Sequence, residues 1–136
     1  MNRPTVNASR LLQDLHTLAS FGRYQTGVHR PSLSPQDIAA RQWFASRLEQ
    51  AGLSATIDGI GNVIGRKPAG DVRLLAGSHL ETVAFGGWLD GALGCVLALE
   101  AARILYASGK PLRHNLDVAA FFDEEGHFGS FLTPVR

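Results

Sequence analysis

Residues 72–126 read VRLLAGSHLETVAFGGWLDGALGCVLALEAARILYASGKPLRHNLDVAAFFDEEG, and this stretch decides the fold. Two short apolar runs, at 72–77 and 116–122, have the composition of buried strands. Between them, residues 91–108 predict a helix, with Leu97 among the residues of its apolar face. A strand, a helix and a second strand at this spacing indicate a βαβ unit, in which the two strands run parallel.

The chain before this stretch predicts two helices and two further strands. Residues 9–20 place leucines at helical spacing, and a second helix begins after Ser34, with Asp37 completing a capping box. Residues 53–57 alternate apolar and polar side chains as a half-buried strand does, and another strand begins at Val63. We therefore expect an α/β fold, a partial three-layer sandwich in which these strands extend a mostly parallel sheet.

The composition is that of an ordinary globular protein. The chain has 136 residues, 45% of them hydrophobic and 18% charged, and its formal net charge is +1. This length predicts one domain, and without a basic excess the chain has no means of binding nucleic acid through bulk electrostatics. The N-terminus has no apolar signal segment, and the most apolar stretch, 91–105, is too short and too charged to span a membrane. Because Cys95 is the single cysteine, an internal disulfide is excluded, and we expect a cytoplasmic protein.

Chemically useful side chains follow both strands of the predicted βαβ unit. His79 comes after the first strand, Glu124 and Glu125 come after the second, and Asp90 immediately precedes the helix. The carboxyl ends of parallel strands and the start of the crossover helix lie at one edge of the sheet, so these four side chains should converge. Several carboxylates held together are unfavourable without a cation. A divalent metal such as zinc, manganese or cobalt suits this set of ligands, and a carboxylate can bridge two metals.

Each of these residues also has a purely structural interpretation. Asp90 can be the N-cap of the helix that it precedes, the acids at 123–125 can form a solvated loop, and His79 alone can be structural. Their joint placement favours a metal site, because independent surface acids have no reason to share this edge with a histidine. His127 can contribute to it, whereas Cys95 is interpreted as a small core residue. The remaining histidines are weaker candidates: His16, His29 and His114.

Three ordered blocks of the sequence resemble a known family. They are GSHLETV at 77–83, GGWLDGALG at 86–94 and FDEEG at 122–126. Earlier segments add to them: GVHRP at 27–31, the helix from Ala40-Arg41 to Gly52-Leu53, and DGIGN at 58–62. In these blocks, and over nearly its whole length, the chain resembles the hydantoinase/carbamoylase group of the zinc-peptidase-like amidohydrolases. This group includes N-carbamoyl-L-amino acid hydrolases, allantoate amidohydrolases and β-ureidopropionases.

The resemblance implies a role for each converging residue. His79 would bind one metal, Asp90 would bridge two, Glu125 would bind the other, and Glu124 would be the general base. The implied reaction is hydrolysis of an N-carbamoyl amino acid, or of a related ureido or amide bond that is not a peptide bond, by a metal-activated water. The metals in the group are divalent: zinc, manganese, nickel or cobalt. Where the group has an aspartate that orients the metal-binding histidine, this chain has Glu81, whose extra methylene can shift the imidazole.

The resemblance also implies a chain longer than 136 residues. In the group, downstream histidines bind the metals, and an inserted lid and dimerisation domain binds the substrate carboxylate and forms a homodimer. We therefore expect residues 1–136 to be one truncated, N-terminal part of a zinc-exopeptidase-like catalytic domain, with little or no hydrolytic activity by itself. Its sheet should expose a long apolar edge. Residues 133–136 replace the Gly-Ser turn that the group has at this point.

Two other functions stay open on the sequence alone. A non-catalytic remnant or interaction module would keep this half-domain without the chemistry, and the missing downstream ligands favour it. An aminoacylase- or dipeptidase-like metallohydrolase would use related ligands, but DGIGN at 58–62 and the Gly-Gly before Asp90 favour the carbamoylase group. The expected partner is a small ureido or amide compound, not a nucleic acid or a membrane.

Overall fold

A computed structural model describes residues 5–68 and 72–129, which form three helices and six strands. The helices are α1 (Ala8–Ser20), α2 (Pro35–Gln50) and α3 (Ala92–Ala107). The strands are β1 (Arg23–Tyr24), β2 (Gly27–Val28), β3 (Ser54–Ile57), β4 (Val63–Arg66), β5 (Arg73–His79) and β6 (Asn115–Phe121). Among the described residues, no helix combines the length and the apolar character needed to cross a membrane. The predicted departure at 133–136 lies outside the described residues.

The start of α2 follows from its sequence. The hydroxyl oxygen of Ser34 accepts a hydrogen bond from the backbone N–H of Asp37 at 3.2 Å, as the capping pattern predicts. The reciprocal half of the capping box is different, because the Asp37 carboxylate accepts from the backbone N–H of Leu33 rather than from that of Ser34. The Asp37 carboxylate also accepts from Arg41, one helical turn further along. This pair lies near the edge of the sheet at which β5 and β6 end.

The main sheet has four strands in the order β3-β4-β6-β5. The β5–β6 pair is parallel, which confirms the predicted βαβ unit, while β3–β4 and β4–β6 are antiparallel. The antiparallel share is larger than the sequence predicts, because the short turn between β3 and β4 makes them a hairpin and β4 then pairs with β6. The described sheet is therefore mixed, with its parallel pairing confined to the βαβ unit.

One hydrophobic core lies between the helices and one face of this sheet. Buried side chains of all three helices pack there against alternate residues of β6, Leu116, Val118 and Ala120. The opposite face of β6 presents Asp117, which pairs with Arg66 and Arg73. The described part thus comprises one helical layer and one sheet layer of the predicted sandwich, and it fixes α3 directly over β5 and β6.

Two expectations about the βαβ unit are wrong in detail. Leu97 of α3 is 47% exposed, because the helix turns smaller residues, Cys95 and Ala102 among them, into the core. Strand β5 is an exposed edge rather than a buried strand, and Leu75 is 59% exposed. Within the described part of the chain, β5 pairs with β6 alone, and the other side of β5 has no neighbouring strand. This agrees with the expected exposed apolar edge.

Candidate metal centre

Three predicted ligands meet at the carboxyl edge of the parallel pair. His79 is the last residue of β5, and Glu124 and Glu125 follow the end of β6 by a few residues. One ligand atom from each of these side chains lies within 4.8 Å of the other two. His79 is buried, whereas the Glu124 side chain is 60% exposed, so the group is open to solvent on the side of Glu124. The βαβ topology therefore brings these three residues together as the sequence predicts.

The hydrogen bonds of His79 define which of its nitrogens is free. Its Nδ1 atom lies 3.0 Å from the backbone carbonyl oxygen of Glu81. A carbonyl oxygen can only accept, so Nδ1 carries a proton, and Nε2 is the nitrogen that can bind a metal. The Nε2 atom lies 3.5 Å from Oε2 of Glu124. This is the tautomer that a metal-binding imidazole needs, with its second nitrogen held by a backbone acceptor.

The start of α3 packs directly against the His79 ring. Gly91, which precedes the first residue of α3, has φ +67°, a conformation that favours glycine. A Cβ atom at this position would lie 2.5 Å from Cε1 of His79. The buried thiol of Cys95, one turn into the helix, donates to the backbone oxygen of His79 at 3.5 Å. Burial raises the pKa of the Cys95 thiol to about 12, and Cys95 is the core residue that the sequence predicts.

Asp90 lies beside this group rather than within it. The residue in the N-cap position of α3 is Gly91, which makes no side-chain cap, so the capping interpretation of Asp90 is wrong. The Asp90 carboxyl instead lies near that of Glu125. Burial raises the pKa of Glu125 above its ordinary value; His79 opposes this effect, and Asp90 and Glu124 add to it. Three carboxyl groups are thus crowded at one point, an arrangement that a cation would relieve.

Glu81 is buried at the centre of the edge, but its carboxylate does not hold the imidazole. Its Oε1 atom is 3.7 Å from Nδ1 of His79, beyond hydrogen-bond distance. The same Oε1 accepts the backbone N–H of Glu124 at 2.6 Å, and Oε2 accepts from Arg41 at 2.6 Å. The extra methylene therefore carries the carboxylate past the histidine, whose orientation comes from the backbone of Glu81.

The loop after β6 is held by Asp123. This residue is buried, has φ +56°, and accepts hydrogen bonds from the backbone N–H groups of His127 and Phe128 at 2.8 Å. The hydroxyl of Ser32 donates to it at 2.7 Å. The solvated-loop interpretation is therefore wrong for Asp123. Within the described residues His127 is not part of the ligand group, and its Nδ1 lies 3.2 Å from the hydroxyl of Ser32.

Segment 27–34 contacts both the residues that follow β5 and the loop that follows β6. Arg30 is fully buried, and its Nε donates to the carbonyl of Leu80 at 2.7 Å. The backbone N–H of Arg30 donates to the Thr82 hydroxyl at 3.0 Å, while Ser32 reaches Asp123. Burial lowers the pKa of Arg30 to about 10. In the sequence, residues 27–31 stand out only as one of the blocks that resemble the family. Residue spacing does not predict the hydrogen bonds that Arg30 and Ser32 make.

The other histidines lie away from the group. His16 stacks on Trp88 with ring centroids 5.4 Å apart, and His29 stacks on Phe85 at 4.6 Å. His114 precedes β6, at the opposite end of the strand from Glu124, as the sequence predicts. They take no part in the ligand group of the described residues.

Comparison with known proteins assigns the family. Residues 61–132, more than half of the chain, match the model of peptidase family M28. The chain belongs to peptidase family M28. Among solved structures, an amidase of the hydantoinase/carbamoylase family from Burkholderia phymatum superposes with a TM-score of 0.88 at 50% identity, covering 97% of this chain and 33% of that one. The resemblance to the hydantoinase/carbamoylase group and its α/β catalytic fold is thereby confirmed.

The curated relatives of this M28 chain are named for carbon–nitrogen bond hydrolysis. The N-carbamoyl-L-amino-acid amidohydrolase of Paenarthrobacter aurescens is 36% identical over 129 residues, which are 93% of this chain and 31% of the relative. The allantoate deiminase of Arabidopsis thaliana is 38% identical over 117 residues, which are 82% of this chain and 22% of the relative. This M28 chain thus spans a third or less of the length of these relatives.

Proposed function

We propose that this chain supplies part of the active site of a metal-dependent amidohydrolase that cleaves N-carbamoyl amino acids or related ureido and amide compounds. The observation that carries the proposal is the ligand group at the sheet edge, in which Nε2 of His79 lies 3.5 Å from a carboxylate oxygen of Glu124. The names of the relatives support this substrate class. The proposal includes a cytoplasmic location, a small-molecule substrate, a homodimer of the complete enzyme, and residues 1–136 as the N-terminal part of its catalytic domain.

The donor set fits a divalent metal. One neutral imidazole nitrogen and several carboxylate oxygens are the ligands that zinc, manganese, nickel or cobalt accept. Burial is the main cause of the raised pKa of Glu125, and Asp90 and Glu124 add to it, so a cation bound at this point would stabilise the ionised carboxyl groups. We propose His79, Asp90 and Glu125 as the metal-holding residues of a site for two ions. A metal bound there would supply a Lewis acid and lower the pKa of a water molecule.

Glu124 has the position of a general base. Its side chain is 60% exposed at the open edge while its backbone N–H is fixed by Glu81, so the carboxylate faces an incoming substrate from a defined place. In the proposed reaction the oxygen of water bonds to the ureido or amide carbon, and the carbon–nitrogen bond breaks. The carboxylate of Glu124 takes the proton of the water and returns it to the leaving nitrogen, so that an amine or ammonia departs neutral.

A metal titration tests the proposal directly. We would measure the binding of Zn²⁺ and Mn²⁺ to the 136-residue chain by calorimetry and compare wild type with His79→Gln. The substitution should lower the affinity by about 10-fold or more, since it removes a ligand. His16→Gln is the matched control, because this histidine is exposed and stacks on Trp88 away from the group.

Hydrolysis is measured in the same samples as ammonia released from an N-carbamoyl amino acid and from allantoate. The complete enzyme has ligands that this chain does not supply, so we expect slow or no release. Metal binding that depends on His79 supports the proposal at either rate. Equal binding by wild type and His79→Gln would contradict it and favour a non-catalytic interaction module.

A further inference from the structure

We propose that Arg41 is a positioning residue that fixes Glu124 in place through the carboxylate of Glu81. Arg41 lies on α2, far from the metal-centre residues in the sequence, and the sequence alone gives it no role at the site. The proposal rests on the proposed function only for the chemical role of Glu124. The contacts themselves are a property of the folded chain.

The guanidinium of Arg41 is held on every side. Its Nε donates to both carboxylate oxygens of Asp37, at 3.0 and 2.9 Å. Its Nη1 donates to the carbonyl oxygen of Gly61 at 2.9 Å, in the turn between β3 and β4, and its Cζ lies 5.3 Å from the centre of the Phe122 ring. The side chain is 4% exposed. Three segments thus fix one planar group: α2 itself, the turn between β3 and β4, and the residue that follows β6. Nη2 is left to reach Glu81.

Glu81 transmits this position to Glu124. The Oε2 atom of Glu81 accepts Nη2–H of Arg41 at 2.6 Å, and its Oε1 atom accepts the backbone N–H of Glu124 at 2.6 Å. Both Glu81 oxygens are therefore engaged, and the carboxylate is fully buried. Without the guanidinium, the buried carboxylate of Glu81 would lose its ion-pair partner, and its position beside the backbone N–H of Glu124 would no longer be fixed.

A stabilising role alone explains this arrangement poorly. Buried ion pairs contribute little net stability compared with apolar side chains of the same volume, because desolvation offsets their attraction. The cluster of Asp37, Arg41 and Glu81 instead fixes the relative positions of its members. A guanidinium presents its donors in a fixed plane, which an ammonium does not. The chain of contacts from Asp37 through Arg41 and Glu81 ends on the backbone of Glu124, the proposed general base.

Nuclear magnetic resonance of the 136-residue chain tests the proposal without any turnover. We would compare wild type with Arg41→Lys and measure the amide proton shift and hydrogen-exchange rate of Glu124, then the affinity for Co²⁺. Arg41→Lys should make exchange at the Glu124 amide about 10-fold faster, as expected for a weakened charge-assisted hydrogen bond. It should also lower the affinity for Co²⁺ by about 10- to 100-fold.

The matched control is Arg47→Lys. Arg47 lies on the same helix and bonds a buried carboxylate, that of Asp14 at 2.8 Å, away from the metal centre. This variant should leave both Glu124 readouts unchanged. If Arg41→Lys unfolds the chain, Arg41→Met combined with Glu81→Gln leaves no unpaired buried charge and still offers the Glu124 amide a side-chain oxygen. Because no guanidinium holds that oxygen in place, exchange at Glu124 should again be about 10-fold faster than in wild type.

The outcomes separate the two proposals. Faster exchange at Glu124 in Arg41→Lys supports the positioning role even if wild type binds no Co²⁺, in which case the proposed function alone fails. Unchanged exchange and unchanged Co²⁺ affinity in a folded Arg41→Lys variant would overturn the positioning role. A double variant that folds and protects the Glu124 amide from exchange as well as wild type does would overturn it as well.

Discussion

Nδ1 of His79 donates to the backbone carbonyl oxygen of Glu81, 3.0 Å away and two residues further along the chain. The contact is local, so the turn that follows β5 sets the orientation of the imidazole. The side chain of Glu81 is then free to act elsewhere, and its carboxylate bonds to Arg41 and to the backbone of Glu124. The Glu81 carboxylate thus holds the loop after β6 rather than the imidazole.

Glu81→Asp should separate these two functions of Glu81. An aspartate is shorter by one methylene and cannot reach both Arg41 and the Glu124 amide, so hydrogen exchange at Glu124 should become about 10-fold faster. The Nδ1 proton of His79 should be retained, because its acceptor is a backbone oxygen. The ¹⁵N shifts of the His79 ring and the Glu124 amide exchange rate measure both effects in one sample.

Glu49→Asp makes the same chemical change at an exposed position of α2 and should alter neither readout. A change of the His79 tautomer in Glu81→Asp would show that the carboxylate, rather than the backbone, orients the imidazole.

Gly91→Ala should damage the metal centre through a steric clash. The added Cβ would lie 2.5 Å from Cε1 of His79, and φ +67° with ψ −54° is the strained conformation of a γ-turn, which costs a non-glycine residue about 1–3 kcal/mol. We expect a lower free energy of unfolding by more than this amount and an affinity for Zn²⁺ reduced by about 10-fold or more. Urea unfolding and calorimetric titration measure the two quantities.

Gly109→Ala separates strain from contact. Gly109 has φ +63°, nearly the same as Gly91, but a Cβ there would meet no atom within 4 Å. This variant should lose about 1–2 kcal/mol of stability and keep its affinity for Zn²⁺. If both variants bound Zn²⁺ equally well, the Gly91–His79 contact would have no part in shaping the site.

The sequence predicts the site better than the packing around it. His79, Glu124 and Glu125 converge as expected, because the ends of parallel strands share an edge whatever the side chains do. The role of Arg41 was not predicted because its partners other than Asp37 lie on three other segments, and the pattern within one helix does not reveal them. The exposure of Leu97 on α3 was not predicted for a similar reason. The charged Glu100 of the same helix is buried, whereas Leu97 is exposed. The counter-charges of Glu100 come largely from α1, which no pattern within α3 reveals.

Glu100→Gln should remove a pH-dependent part of the stability. Glu100 is buried, which raises its pKa, but Arg10, the backbone N–H of Asn7 and Arg103 donate to it and together hold the pKa below its ordinary value of 4.5. A carboxyl with a lowered pKa in the folded state stabilises the fold above that ordinary value, and this stabilisation is lost as the pH falls below it. At pH 7 the substitution should lower the free energy of unfolding by about 1–3 kcal/mol.

Urea unfolding at a series of pH values measures this effect. The difference between wild type and Glu100→Gln should shrink as the pH falls below 4.5, because the wild-type carboxyl becomes neutral as well. Glu49→Gln, at an exposed position, should show little difference at any pH. A difference for Glu100→Gln that stayed constant with pH would mean that packing, rather than charge, is responsible.

Leu75→Lys should reduce self-association of the 136-residue chain. Leu75 is 59% exposed on β5, which pairs with β6 alone among the described strands, and an exposed apolar edge strand is a template for pairing with another copy. Light scattering over a concentration series should show mass rising with concentration in wild type and less so in the variant. Leu12→Lys, at a leucine of α1 that is 51% exposed, carries the same charge change and should behave like wild type. Equal association by both variants would place the contact elsewhere on the surface.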